Sequence, residues 1–297
     1  MLRRPSKPQS ILNDAYQRYL LHHGWAIASH IALSMLFSFF PFLILLTALA
    51  SVFGSVPLAD QAADLILDVW PREVAGPIAG EVHAVLTERR GGVLTIGAVL
   101  ALYFSSNGVE SLRVGLNRAY GVRENRSWYV TRAESIVYVV IGAVVMLVFS
   151  FFVVLGPLLW RAFVGFFPTL AQFASVVETA RIGITTLLIS IALVITHKFL
   201  AAGWRSFRSV MPGVGVTLVL WLLGGLAFGF YLEQYPGAYA STYGGLATAM
   251  IALIFLYTLA VMFIFGGEIN GAVIAAGKKR RPARVEPGSF EDVVRTP

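Results

Sequence analysis

The sequence predicts an all-α polytopic membrane protein, with six transmembrane helices and short amphipathic interfacial helices, on three observations. Of its 297 residues, 57% are hydrophobic and only 13% charged, whereas soluble domains carry about 25% charged residues. Mean hydropathy is +0.73, and the chain holds 21 Phe. That excludes disorder, because disordered chains lack the apolar surface needed to offset chain entropy. The apolar residues also gather into six separate runs, and a bilayer core asks for roughly 20 apolar residues per helix.

Taken in order, the segment 11–25 places Ile11, Leu12, Tyr16, Tyr19 and Leu20 toward one helical face, as an interfacial helix on the membrane surface would. Residues 1–25 are read as this cytoplasmic N-terminal segment. No cleavable signal peptide is expected, since the first apolar run starts only at Ala26. The first span covers residues 26–54 and contains Pro41, which removes a backbone bond to the carbonyl of Phe37. Its kink has two readings, helix packing or a cavity lined by freed carbonyls.

The loop 55–92 has helical patterning of its own, with Leu65, Ile66, Val69 and Trp70 on one stripe and Asp60, Asp64 and Asp68 on another. The acidic row reads either as a solvated face or as a cation-attracting rim. The second span, 93–107, is the shortest. Its apolar part stops near Phe104 and continues as a polar-faced helix through Glu110, Arg113 and Asn117, expected to project into water. Spans three to six follow at 136–160, 182–199, 210–232 and 246–276, with Gly244 and Gly245 opening the last. Residues 26–276 therefore form the membrane domain, and 277–297 a basic cytoplasmic tail expected to be disordered.

Lys and Arg alternate from loop to loop, 18 on one side of the spans and 5 on the other. Because cytoplasmic loops carry the basic excess, both termini are expected in the cytoplasm. The formal charge of +7 is thus explained by orientation and by anionic headgroups, and no nucleic-acid partner is implied. Zero cysteines exclude disulfides, thiolate metal sites and thiol catalysis. The five histidines form no HxxxH or HxH array, so no metal site and no cofactor are expected.

Polar residues inside spans are costly and mark candidate sites. Glu268 is the clearest, read as a ligand or proton site or as the partner of a basic residue. His30 and His197 lie near span ends, where helix–helix hydrogen bonding is the simpler reading. Gly225 with Gly229, and Gly267 with Gly271, have the spacing of close-packing sites. The segment 107–126 is the densest chemically: Glu110, Arg113 and Asn117 share a face, Tyr120 follows, and Arg118, Arg123 and Arg126 add charge where phosphates lie. It reads as a structural ion-pair network or as headgroup recognition.

Three segments carry a resemblance: HIALSMLFSFFPFLILLTAL in the first span, GVESLRVGLNRAYGVRENR after the second, and STYGGLATAMIALIFLYTLAVMFIFGGEIN at the last. With Tyr243, Gly244, Leu256, Tyr257, Gly267, Glu268 and Asn270, and the Met211 to Gly213 tripeptide opening the fifth span, the chain resembles the YihY/BrkB family of bacterial inner-membrane proteins. The resemblance spans residues 25–276. Phe255 stands where the family often has Trp, and HKFLAAGWRSFR lacks the proline expected after the fourth span. The family implies a six-span inner-membrane protein, with proposals that members export or translocate lipids or other envelope components.

The resemblance also brings an older ribonuclease label. This sequence argues against it, having no His/Asp metal cluster, soluble catalytic domain or extended RNA groove. The leading expectation is a non-enzymatic transporter or flippase of an amphiphilic, anionic substrate. In it Glu268 and Asn270 form an inner polar site, while Asn107, Glu110, Arg113, Asn117, Tyr120 and Arg126 form a headgroup-receiving mouth. The alternative is a non-transporting scaffold for envelope assembly. Implied partners are membrane lipids, with a second copy or an envelope protein on the glycine faces.

Overall fold

The computed structural model describes residues 8–53, 93–150, 160, 163–234 and 246–279, and over these the chain is helical, with no strand. The expectations for the acidic outer loop, the end of the third span at 151–159, the Tyr243 to Gly245 opening and the basic tail beyond Lys279 lie outside the described residues. Among the described residues the longer α-helices run in the order α1 (Pro8–Leu21), α2 (Gly24–Phe53), α3 (Val93–Ala119), α4 (Trp128–Ser150), α5 (Ala174–Ile195), α6 (Phe207–Gln234) and α7 (Ala247–Lys279). A 3-10 turn, Pro168–Phe173, leads into α5, and a widened π turn, Thr196–Leu200, ends it.

Among the described residues five segments are long and apolar enough to cross a membrane: Gly24–Leu46, Trp128–Phe149, Thr169–Leu200, Phe207–Gln234 and Ala247–Gly277. The sixth long helix is α3. Its 27 residues span about 40 Å at 1.5 Å per residue. Its second half is not apolar, and here the structure corrects the sequence reading. That half does not project into water: Leu116 and Ala119 are fully buried, and Arg113 is 1% exposed. Glu110 and Arg113 have partners on α4, so the helix runs on into the bundle.

The core joins α2, α3 and α7, with α6 against α7, α4 against α3 and α5 against α6. Ile31, Leu116, Val194, Leu200, Val214, Phe263 and Ile264 meet in one cluster drawn from five of these helices and the π turn. Close approach depends on glycine at specific places. A Cβ on Gly213 would collide with the Gly266 carbonyl and with Asn270, so α6 and α7 touch backbone to backbone. Trp221 Nε1 then donates to the Leu259 carbonyl at 3.0 Å, and Ser38 Oγ donates to the Phe104 carbonyl at 3.1 Å between α2 and α3. Pro41 lies within α2, which remains one helix.

α1 turns into α2 through His22 and His23, the latter at φ 56°. A Cβ on Gly24 would strike the Tyr19 ring, which fixes glycine at the start of α2. The expected single apolar face of α1 divides in two. Ile11, Ala15 and Tyr19 pack inward, Ala15 against Ile269 and Ala272 of α7, while Leu12, Tyr16 and Leu20 stay exposed. The apolar arc is wide enough to serve both protein and surroundings, so α1 is docked on the bundle as well as amphipathic.

The glycine pairs also part company. A Cβ on Gly267 would meet Ala119 Cβ at 3.1 Å and Leu116 Cδ2 at 3.3 Å, and one on Gly271 the Ala119 carbonyl at 2.6 Å. Gly225 and Gly229, read from spacing as packing sites, have nothing within 4 Å among the described residues. The same spacing therefore faces a neighbour in α7 and open space in α6.

Candidate functional site

Glu268 lies two-thirds of the way along α7, fully buried. Two side chains reach it, one from α1 and one from the turn that follows: Arg18 Nε donates to Oε2 at 3.3 Å, and His22 Nδ1 stands 2.6 Å from Oε1. Arg18 and His22 are four residues apart and so share a helical face. Arg18 Nη2 also donates to the Ala119 carbonyl at 3.0 Å, at the end of α3. Bare Gly271 leaves room for that guanidinium, since a Cβ there would sit 2.9 Å from Nη2. One carboxylate thus ties α1 and, through Arg18, α3 to α7.

Asn270 is two residues further and points elsewhere. Its Oδ1 accepts from the Gly213 backbone N–H at 2.7 Å, and its Nδ2 donates to the Tyr120 hydroxyl at 3.2 Å. The hydroxyl in turn lies 3.0 Å from His197 Nδ1. Burial above all pushes the Tyr120 phenol up to about 12, although Asn270 and Arg205 act the other way. At neutral pH it keeps its proton and donates to His197 Nδ1, which leaves the other ring nitrogen as the one bearing hydrogen. His197 is fully buried, packs its ring 4.8 Å from that of Phe263, and its Nε2 has no partner among the described residues. The expected joint site of Glu268 and Asn270 is thereby corrected: two residues apart in sequence, they serve two separate clusters.

A third group forms where α3 meets α4. Residues 116–122 close α3 with Val122 N–H donating to the Asn117 carbonyl and Gly121 N–H to that of Arg118, Gly121 at φ 64°. This is a Schellman stop, and it needs glycine at the left-handed position. The turn brings Glu124 and Arg126 back beside α3. Charges then alternate: Arg113 Nη1 donates to Glu110 at 2.6 Å and its Nη2 lies 3.5 Å from Glu134, while Arg126 donates to Glu134 at 2.6 Å and to Glu124 at 2.7 Å. Asn117 Nδ2 donates to Glu124 at 3.1 Å, and its Oδ1 accepts from the Ala202 backbone at 2.7 Å. The hydrogen bonds from Arg126 are the main reason the Glu124 carboxyl is held down at about 2, and the same pairing raises Arg126.

Of the sequence candidates, Glu110, Arg113, Asn117 and Arg126 are brought together, and Tyr120 joins Asn270 instead. Asn107 sits apart, accepting from Arg132 Nη1 at 2.9 Å beside Ser106. Sequence reasoning did not find Arg18, His22, Glu124, Glu134 or Arg205 as members of these clusters. The four-residue spacing of Arg18 and His22, at the end of an amphipathic helix and in the turn after it, is the one signal that could have pointed to a buried acid. Arg205 gathers the carbonyls of Lys198, Ala201, Ala202 and Gly203 and lies 4.1 Å over the Tyr120 ring, holding the loop after the π turn. Among the described residues no three His, Asp or Glu side chains gather as a metal site.

A family model described as Virulence factor BrkB matches residues 15–288. YfkH of Bacillus subtilis, a protein whose name likens it to a ribonuclease, is 30% identical over 262 residues, covering 88% of this chain and 94% of its own. A UPF0761 membrane protein of Rhodospirillum centenum is 26% identical over 89% of this chain and 57% of its own, and one of Chromobacterium violaceum is 26% identical over 61% and 40%. This chain therefore spans only part of the length of those two relatives. No solved structure matches it. With the match running from α1 past the end of α7, over helices apolar enough to cross a bilayer, this multi-pass membrane protein belongs to the YihY/BrkB family.

Proposed function

We propose that this chain is a bacterial inner-membrane protein, with both termini in the cytoplasm, that transports or flips an amphiphilic anionic substrate. The observation that carries the reading is the burial of ionisable side chains at one end of an apolar bundle, with Glu268 at 0% and Arg113 at 1% exposure. Charges inside a membrane protein are costly and concentrate along substrate and ion pathways. The basic excess on alternate loops supports this orientation and, with it, a cytoplasmic position for these clusters.

One observation favours the second reading, a non-transporting scaffold for envelope assembly. Arg113 and Arg126 are already engaged by Glu110, Glu134 and Glu124, which is what a purely structural network does. The ribonuclease reading that the name of YfkH suggests has no supporting cluster among the described residues.

Translocation of a headgroup-labelled phosphatidylglycerol in proteoliposomes tests the choice, wild type beside Glu268→Gln. Transport that slows about tenfold, equivalent to about 1.4 kcal/mol on the barrier, supports the first reading. Transport unchanged by the substitution removes Glu268 from the mechanism. No transport by wild type, together with a stoichiometric partner on gentle extraction, establishes the scaffold.

A further inference from the structure

Beside the buried clusters lies a cleft of about 590 Å³, walled by Val122 to Arg126 on one side and by Lys198 to Arg205 on the other, with Glu134 between. Four cations and two carboxylates line it: Arg123, Arg126, Lys198 and Arg205 against Glu124 and Glu134. The carboxylates are both taken by Arg126. Arg205 is 9% exposed and, among the described residues, meets main-chain carbonyls and the Tyr120 ring but no carboxylate, so its charge is fixed in place. Burial, with Arg126 adding to it, holds its guanidinium below the ordinary value. Among the described residues Arg123 and Lys198 meet no carboxylate at all. Lys198 Nζ rests 4.8 Å from the Phe199 ring and 5.1 Å from that of Phe207.

Aromatic side chains mark the depth of the cleft. Trp204, on its wall, is 98% exposed, and Phe199 and Phe207 are exposed beside Lys198. Exposed Trp beside basic residues is what a polypeptide presents at the headgroup level of a bilayer. A pocket there with two cations that face no carboxylate among the described residues, and a third fixed behind them, matches a group carrying several acceptor oxygens and a full negative charge.

We infer that this cleft binds an anionic phosphate headgroup, with Arg123 and Lys198 contacting the phosphate, Arg205 supplying a fixed field and Trp204 anchoring the rim in the bilayer interface. The inference rests on the reading of the chain as a handler of anionic amphiphiles and names the group recognised. It moves headgroup recognition from Arg113, Asn117 and Arg126, which are spent on internal partners, to two residues that meet no carboxylate among the described residues.

The test uses the full chain in phosphatidylcholine nanodiscs carrying a minor fraction of phosphatidylglycerol, with lipids retained on release read by native mass spectrometry. Wild type is compared with Arg123→Gln/Lys198→Gln and with the charge-conserving Arg123→Lys/Lys198→Arg. Wild type is expected to favour phosphatidylglycerol by about thirtyfold over the Gln variant, equivalent to about 1 kcal/mol per basic side chain near an anionic surface. The charge-conserving variant keeps most of the preference, and added salt weakens it. Titration of inorganic phosphate into phosphatidylcholine discs separates the sources. Binding there, lost in the Gln variant and without a phosphatidylglycerol preference, assigns the cleft to free phosphate. Retention of phosphatidylglycerol unchanged in the Gln variant, with no phosphate binding, overturns the site. Thermal midpoints of all three proteins establish that they are folded, and both substituted side chains lie at the surface of the cleft. Flux in proteoliposomes is measured separately, so binding without transport leaves the site standing and sinks only the transport reading.

Discussion

His22 Nδ1 lies 2.6 Å from Glu268 Oε1, across 246 positions of sequence, and this contact helps dock the N-terminal helix on the last one. An ionised carboxylate only accepts, so in that pairing the imidazole nitrogen bears the hydrogen. Arg18 holds the other oxygen at 3.3 Å.

Glu268→Gln keeps the shape and removes the carboxylate that Arg18 and His22 face. Taking one partner from a buried pair costs about 3–5 kcal/mol. Here Arg18 and His22 are partly open to solvent, which lowers the expectation to about 1–3 kcal/mol. The variant should melt earlier in detergent, and limited proteolysis should release α1 first. Equal protease resistance of α1 in both proteins would show that its apolar contacts with Ile269 and Ala272 suffice alone.

The six long helices were legible because each holds a long apolar run, and hydropathy needs nothing else. The starts of α4 at Trp128 and α5 at Ala174 lie eight residues before the expected spans, since their first turns carry Arg132, Glu134, Glu178 and Arg181 and score as loop. The buried half of α3 was misread for a related reason. Hydropathy scores Arg113 alone, while its partner Glu134 arrives on the next helix. Arg18 and Glu268 are 250 positions apart, and only the fold brings them together. Spacing could not separate Gly267 and Gly271 from Gly225 and Gly229, because what faces a helix is not written in that helix.

That difference is measurable. Gly213→Ala drives a Cβ into the Gly266 carbonyl and Asn270, and neither backbone can yield without parting α6 from α7. Overpacking of this kind costs about 1–3 kcal/mol. Gly225→Ala and Gly229→Ala meet open space among the described residues, and Ala in a helix interior is favoured by about 0.5–1 kcal/mol over Gly. Detergent melts should fall for the first and hold or rise for the other two. A drop at Gly225 or Gly229 would mean that a partner covers that face.

Glu124 makes the Arg126 network acid-resistant. Its carboxyl is lowered from an ordinary 4.5 to about 2, chiefly by hydrogen bonds from Arg126. A depressed carboxylate stabilises the fold fully above its unfolded value, and the contribution fades as pH falls toward the folded one. The margin of wild type over Glu124→Gln should therefore be flat from neutrality to about pH 4.5 and shrink between there and about pH 2. Unfolding midpoints along that series measure it. A margin that shrinks instead between pH 7 and 5 would assign the effect to a histidine.

Tyr120 does two separable jobs, and two substitutions divide them. Its hydroxyl bridges Asn270 Nδ2 and His197 Nδ1, while its ring carries the Arg205 guanidinium at 4.1 Å. Tyr120→Phe keeps the ring under Arg205 and strands a buried donor and a buried acceptor, which costs about 1–3 kcal/mol. Tyr120→Leu removes the ring as well, adding about 0.5–2 kcal/mol for the lost cation–π contact. Arg205 also holds the carbonyls of the loop Ala201 to Gly203, so the second substitution should loosen that loop while the first leaves it in place. Hydrogen exchange across residues 201–206 distinguishes them: faster exchange in Tyr120→Leu alone is the expected result. Equal exchange in both variants would mean that the carbonyls hold Arg205 without the ring.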